Sequence, residues 1–387
     1  MRTDNMNKRS TFLSYGKQSI DEADIEAVVE TLRSPFLTQG PKVEEFEQSV
    51  ADYVGAKYAV AFSNGTAALH GACYAAGIGA GDEVITTPIT FASTSNAILY
   101  CGGTPVFADI DSQTYNIDPE EIKKNITSKT KAIIPVDFTG QPVNLDEIMT
   151  IAEEHKLIVI EDGAHSFGAS YKGRKIGSQA HMTMFSFHPV KPITTAEGGV
   201  ITTDSEEYYE KLKLFRSHGI SKTPYAVEQG DWYYEMTELG FNYRMTDIQA
   251  ALGLSQIKKI DKFINIRREI ADIYQEALDQ FPGVILPKQL DGTNSGWHLY
   301  IIQLDQAVLN KTRKEIFNEM RTCNIGVHVH YIPVYWHPYY EQLGFSKGIC
   351  NVAESWYEGA LTLPIFPSME KSDVNNVIEI LKSTLNK

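Results

Sequence analysis

Residues 157–165 read Leu157-Ile158-Val159-Ile160-Glu161-Asp162-Gly163-Ala164-His165, an apolar run that ends abruptly in two carboxylates and a glycine turn. A continuous apolar run of this length fits a strand buried on both faces, the environment of a parallel sheet covered by helices. In such sheets ligands gather at the carboxyl ends of the strands, which puts Asp162 where a bound group would meet it. The competing reading is a carboxylate that caps the next turn through its own oxygen. Outward from this run, short apolar stretches at 58–62, 84–87, 106–110, 132–136, 182–187 and 200–203 alternate with helical patterns. The alternation predicts an α/β fold built on a doubly wound, mostly parallel sheet.

Two further segments carry chemistry. Phe185-Ser186-Phe187-His188-Pro189-Val190-Lys191-Pro192 sets a lysine between two prolines at the end of an apolar strand, with Glu197-Gly198-Gly199 closing the stretch. The prolines disfavour a helix that would carry the lysine outward. A lysine held in such surroundings loses its proton more easily and becomes an amine nucleophile, as a Schiff-base enzyme requires. Ser63-Asn64-Gly65-Thr66-Ala67-Ala68-Leu69 follows the strand at 58–62 and opens a small-residue helix. Strand, glycine loop and helix N-terminus together make an anion site, although Asn-Gly also serves strand-to-helix turns for geometry alone. Gly77-Ile78-Gly79-Ala80-Gly81 follows a helix and precedes a strand, the reverse of a dinucleotide fingerprint, so it reads as a helix C-cap and turn.

An amine nucleophile, a buried carboxylate and a phosphate cradle are the fixtures that pyridoxal 5'-phosphate needs. These segments resemble the DegT/DnrJ/EryC1/StrS family of sugar aminotransferases, which belong to fold type I of the pyridoxal phosphate enzymes. The resemblance runs from Tyr15 to about Phe366 and includes Leu37-Thr38-Gln39-Gly40-Pro41, Thr90-Phe91, Gly240-Phe241-Asn242-Tyr243-Arg244-Met245-Thr246-Asp247 and His328-Val329-His330-Tyr331. It implies that Lys191 holds the cofactor aldehyde and later shuttles the proton. Asp162 would pair with the pyridine nitrogen, His165 would lie near the ring hydroxyl, and Phe91 would stack on the ring. Gly65, Thr66, Ala67 and Ser186 would hold the phosphate. Asn242 would reach that phosphate from a neighbouring subunit, which implies a homodimer with shared active sites. Tyr15, Leu37, Thr38, Gln39, Gly40, His328, His330 and Tyr331 match positions where relatives meet the nucleotide-sugar substrate, and an amino-acid donor, glutamate, would supply the nitrogen.

Within the family, the segment 185–199 is similar to the branch that aminates C4 of UDP-2-acetamido-2,6-dideoxy-β-L-arabino-hexos-4-ulose in pseudaminic acid biosynthesis. That transfer would give UDP-4-amino-4,6-dideoxy-N-acetyl-β-L-altrosamine. Another nucleotide-sugar aminotransferase is the nearest alternative. A pyridoxal-phosphate sugar dehydratase is disfavoured, because relatives of that kind carry histidine in place of Lys191. An amino-acid aminotransferase lacks a clear C-terminal arginine for a substrate carboxylate, and a regulatory member would be expected to have lost Lys191 or Asp162. Alternation puts His328 and His330 on one face of a strand, yet no third ligand stands at metal spacing, so no metal is expected. The aromatic group Tyr335, Trp336, Tyr339 and Tyr340 reads either as a sugar-binding wall or as a packed loop.

The chain's 387 residues and net charge of -14 suit a large core and argue against nucleic acid as a partner. Arg216 and Arg244 remain as local cations for phosphates. Cys73, Cys101, Cys323 and Cys350 form no Cys-x-x-Cys pair, residues 1–14 lack an apolar leader core, and no run is long enough to span a membrane. A reduced cytoplasm is the simplest setting. Residues 248–274 read as one long helix joining a large cofactor-binding domain with its N-terminal segment, 1–264, to a smaller α+β domain, 265–387. In the latter, 297–304 and 326–331 carry strand signals and 313–321 and 373–385 helical ones, while 221–231 reads as a polar mobile loop.

Overall fold

The computed structural model describes residues 8–386, so part of the leader reading at 1–14 lies outside the described residues. The central sheet has seven strands in the spatial order Tyr58–Phe62, Gly199–Thr203, Met182–Ser186, Ile158–Asp162, Thr130–Ile134, Glu83–Thr86 and Thr104–Phe107. Neighbours from Thr104–Phe107 to Met182–Ser186 pair in parallel, and Gly199–Thr203 runs antiparallel to both strands beside it. Val159 and Ile160 are fully buried on opposite faces, as the unbroken apolar run requires. Ile160 packs in one core cluster with Ala68 and Leu69 of the helix Gly65–Ala75, and Val159 packs in another with Ile148 and Ile151 of Leu145–His155. Helices therefore cover both faces, and the strand's carboxyl end is left to the site.

Past residue 278 a smaller antiparallel sheet joins Val284–Ile285, Tyr300–Leu304 and Ala360–Leu363, backed by the helices Arg313–Thr322 and Lys371–Leu385. The predicted long helix is two, Asp247–Ile257 and Ile260–Leu278. Hydrophobic period and the lack of proline hide the corner, because a tertiary ion pair holds it: Lys259 reaches Asp21 and the fully buried Asp24 of the helix Glu22–Arg33. Within the second helix Ile260, Phe263 and Ile264 pack in the core under the large sheet, whereas Ile270, Ala271, Tyr274 and Leu278 pack in the core of the small sheet. We propose that the chain divides there, between 264 and 265; Leu13, from the N-terminal segment, packs in the second of these cores.

Residues 326–331 do not form a strand. His328 makes an isolated bridge to Thr362, and the His330-Tyr331 peptide is cis. The stretch 221–231 holds a short helix, Pro224–Gln229, whose first turn Thr223 caps at the Ala226 amide. Gly77 and Gly81 take left-handed φ values of 71° and 94° after the helix Gly65–Ala75, the turn expected of that glycine run.

Candidate active site

Asp162 ends its strand with its carboxylate buried and pinned. Thr94 Oγ1 donates to Oδ2 at 2.7 Å and the Ala164 amide to Oδ1 at 3.1 Å. Both oxygens thus accept hydrogen bonds within the fold, and the one from Ala164 is the turn cap of the competing reading. Burial pushes Asp162 upward, while Thr94, Ala164 and the charge of Lys191 oppose it.

Two more buried carboxylates lie close behind. Asp137 accepts from Ser166 Oγ at 2.6 Å and from the Val143 amide at 2.9 Å. Among the described residues Glu161 accepts only from Thr183 Oγ1 at 2.9 Å, and its enclosed Oε1 has no partner. Desolvation raises Asp137 from 3.8 to about 7 and lifts Glu161 well above the ordinary 4.5; the charge of Asp162 adds to both, and that of Asp137 adds to Glu161. By the tally of donors Glu161 is the carboxyl that keeps its proton. Both groups bind protons in the fold that the unfolded chain has released, so stability falls as pH rises from about 4 through about 7. The expected loss is on the order of a few kcal/mol, and Glu161→Gln, which mimics the protonated acid, should flatten part of it. Urea midpoints from pH 5 to 8 measure this; equal slopes in wild type and variant would contradict the assignment.

Lys191 follows the buried strand Met182–Ser186 in a turn closed by its own amide bonding to the His188 carbonyl at 3.0 Å. Desolvation brings its ammonium down to about 8, with Asp162 pulling the other way. The same charge disfavours protonation of His165, His298 and His330, three buried histidines that desolvation already holds well below their usual range. Lys191 is therefore within electrostatic reach of the Asp162 carboxylate and of three imidazoles that burial keeps neutral.

The cradle forms at the N-terminus of Gly65–Ala75. Asn64 Oδ1 accepts the Ala67 amide at 2.9 Å, which leaves the Gly65 and Thr66 amides of the first turn to meet an anion. Ala67 is thus occupied by the cap. A Cβ on Gly65 would fall 3.2 Å from Ser186 Cβ and 3.3 Å from its Oγ, so the glycine keeps the space between helix and Ser186 open.

The wall opposite is aromatic. Tyr331 lies with its hydroxyl 3.5 Å from His165 Nε2 and its ring 6.2 Å from that of Phe91. Phe91 is 62% exposed, which removes plain core packing as its role. Tyr15 packs against both His328 and His330, with centroids at 5.2 and 5.1 Å, and the two imidazoles stack at 4.4 Å. Thr362 Oγ1 holds His330 Nδ1 at 2.9 Å. Gly16, beside Tyr15, abuts Val190 and so brings the N-terminal segment onto the lysine turn. Among the described residues no group of three or more His, Cys, Asp or Glu side chains is arranged to hold a metal ion.

Other predicted residues make contacts that hold the fold. Leu37, Thr38 and Gln39 are exposed before the helix Pro41–Val54 and are tied to the 246–247 pair: Thr38 bridges Thr246, and the Leu37 carbonyl accepts the Asp247 amide at 3.0 Å. Asp247 in turn accepts the amides of Gly40 and Lys42, and a Cβ on Gly40 would strike Phe36 at 2.4 Å. Asn242 is exposed on a loop bridged to Ser217. Arg216 pairs with Glu47 and donates to the Ala61 carbonyl at 2.7 Å, a structural tie and no free phosphate ligand. Tyr335 and Tyr340 are buried against Phe107, and Tyr335 donates to Glu354 at 2.6 Å, so this part of the aromatic group is packed loop. His298 escaped the sequence reading; its ring lies 4.5 Å from that of His165, a contact made across distant segments that no motif announces.

The residues present fit pyridoxal 5'-phosphate: a low-pKa amine, a pinned carboxylate, a glycine cradle that a methyl would fill, and an exposed ring. That donor set on this sheet defines a fold type I pyridoxal phosphate enzyme. The chain belongs to the DegT/DnrJ/EryC1/StrS aminotransferase family, whose model matches residues 18–382. It is a sugar aminotransferase and its cofactor is pyridoxal 5'-phosphate.

Among curated proteins it is 46% identical to the spore coat polysaccharide biosynthesis protein SpsC of Bacillus subtilis, over 97% of each chain. It is 38% identical to the UDP-4-amino-4,6-dideoxy-N-acetyl-β-L-altrosamine transaminase of Campylobacter jejuni, over 97% of this chain and 98% of that one. Among solved structures, Helicobacter pylori PseC, an aminotransferase of pseudaminic acid biosynthesis, superposes with a TM-score of 0.91 at 34% identity, covering 97% of this chain and all (100%) of its own. The PLP form of Streptococcus pneumoniae Spr1654 superposes with a TM-score of 0.90 at 30% identity, covering 97% and 99%. Among the described residues no helix is long and apolar enough to cross a membrane.

Proposed function

We propose that the chain transfers an amino group from L-glutamate to C4 of UDP-2-acetamido-2,6-dideoxy-β-L-arabino-hexos-4-ulose, the amination step of pseudaminic acid biosynthesis. The observation that carries the reading is the convergence of Lys191 and Asp162 with a wall of neutral polar rings, Tyr15, His165, His330 and Tyr331, suited to sugar hydroxyls and not to a second carboxylate. The similarity to PseC and to the Campylobacter transaminase supports the sugar. When bound, pyridoxal phosphate supplies a carbonyl that takes up and passes on the amino group and a ring that accepts electrons.

The chain's own residues do the rest. Lys191 Nζ, as a free amine, would hold that carbonyl and would move a proton to or from the reacting carbon of donor or sugar. Asp162 keeps a proton on the ring nitrogen, and His165 meets the ring hydroxyl. The Gly65 and Thr66 amides, with Ser186 Oγ, hold the phosphate. Phe91 covers the ring. The UDP-sugar lies toward Tyr15, His328, His330 and Tyr331 and toward the 37–40 segment. Asn242 completes the phosphate site of a second copy in a homodimer, a role supported by the exposed apolar side chains Trp232, Leu239 and Phe241 near it. The chain acts in the cytoplasm, a reducing setting for its four cysteines.

A different nucleotide-sugar is the second reading, favoured by the 46% identity to SpsC. Incubation with glutamate and a panel of UDP-4-keto sugars, read by product mass, separates the two. Amination of the L-arabino ketosugar supports the first; turnover of another sugar alone rejects it.

A further inference from the structure

The loop that presents Asn242 is built directly onto the phosphate cradle of its own subunit. Tyr243, the next residue, accepts the Ser63 amide on its backbone carbonyl at 2.7 Å, at the entrance of the cradle. Its hydroxyl lies 3.3 Å from Nδ1 of His70, which sits one turn beyond Thr66 on the helix Gly65–Ala75. Phe241, on the other side of Asn242, stacks on Tyr243 with centroids at 4.9 Å and an interplanar angle of 13°. Both rings pack against His70, at 5.1 and 5.9 Å, and all three meet Phe215. Asn242 is thus exposed between two side chains that are clamped to the cradle helix.

We propose that His70 and the Tyr243 hydroxyl are positioning residues that fix Asn242 for the phosphate of the neighbouring subunit, so that each cradle also aims the asparagine serving its partner. This rests on the shared-site reading of Asn242. The aromatic stack alone would hold the loop near the helix. Rings slide along one another at little cost, whereas a hydrogen bond sets one register and one angle. A buried histidine amid four rings with a single polar partner is placed for that bond. Supporting side chains of this kind decide whether a contacting group is held tightly enough to bind.

The test is the dissociation constant of pyridoxal 5'-phosphate from the full-length apo-protein, followed by fluorescence, with thermal midpoints as a control for folding. Asn242→Ala should weaken binding about tenfold. Tyr243→Phe, which deletes one oxygen, and His70→Phe, which keeps a ring in the stack, should each weaken it about three- to tenfold, the scale of one net hydrogen bond. The pair together should lose no more than either alone, and neither should add to the loss in an Asn242→Ala background. Additive losses there would overturn the positioning role, as would full affinity in Tyr243→Phe. Full affinity in Asn242→Ala would instead reject the shared-site reading on which the proposal stands.

Discussion

Lys191→Ala is expected to remove the absorbance band of the lysine-linked cofactor, leaving at most that of the free aldehyde, and to cut turnover by about 10³-fold or more. Two functions are lost together. The methyl group has no lone pair to hold the cofactor carbon, and it has no proton to move between cofactor and substrate carbons; positioned proton transfer alone contributes roughly 10²–10⁴-fold. The burial of this lysine suits it to both proposed roles. Desolvation brings it to about 8, so an appreciable share is free amine at neutral pH, and Asp162 prevents the fall from going further. Loading of apo-protein should accordingly speed up as pH rises toward 8 and level off above it. Lys191→Arg should behave like alanine in the spectrum, because a guanidinium keeps the charge and never yields a nucleophile. A Lys191→Ala protein with an unchanged band and turnover within tenfold of wild type would remove the lysine from the mechanism.

How far the molecule is legible in its sequence depends on the range of the forces involved. Strands such as Tyr58–Phe62 and Ile158–Asp162 are legible because burial on both faces writes a local apolar run. The Asn64 cap and the turn at Gly77 are legible because they answer to neighbouring backbone groups. The corner at Lys259 is not, since its cause lies more than 200 residues away at Asp21 and Asp24. Residues 326–331 show the converse error: the alternating pattern is present, but only His328 finds a bridging partner, and Tyr15 packs on the imidazoles instead. Thr223-Pro224, by contrast, was a readable N-terminal signal for the helix Pro224–Gln229.

The site divides in the same way. Lys191, Asp162 and the Gly65 loop stand on strand ends and helix starts, where local pattern and chemistry coincide. Phe91 is expected at the cofactor ring only by resemblance, and no local pattern announces the exposure that leaves its face free. The groups around the site, Asp137, Ser166, Thr94 and His298, converge from separate segments with no shared spacing. Thr94 tunes Asp162 by a hydrogen bond from a distant segment, and Asp162 and Lys191 act through space on Asp137 and His298, so no motif records these couplings.

Asp162→Asn tests that tuning, with an expected fall in kcat of about 10²–10³-fold, the scale seen when a preorganised charge is removed from a buried site. The amide has the same shape. Its oxygen can still accept the Ala164 amide, and its nitrogen can donate to Thr94, whose hydroxyl is also 3.2 Å from the Phe91 carbonyl and can turn toward it. What goes is the charge proposed to keep a proton on the ring nitrogen. Two side effects follow from the same loss. Without its one carboxylate Lys191 should fall below about 8, and the repulsion that Asp162 exerts on Asp137 and Glu161 should vanish. The variant should therefore be at least as stable as wild type in urea while being nearly inactive, the pattern of a group kept for function at some cost to the fold. Thr94→Val leaves the charge and removes one donor, so it should lose about tenfold at most. Equal rates in Asp162→Asn and wild type, or an Asp162→Asn protein that unfolds at lower urea, would show that this carboxylate serves the fold and not the reaction.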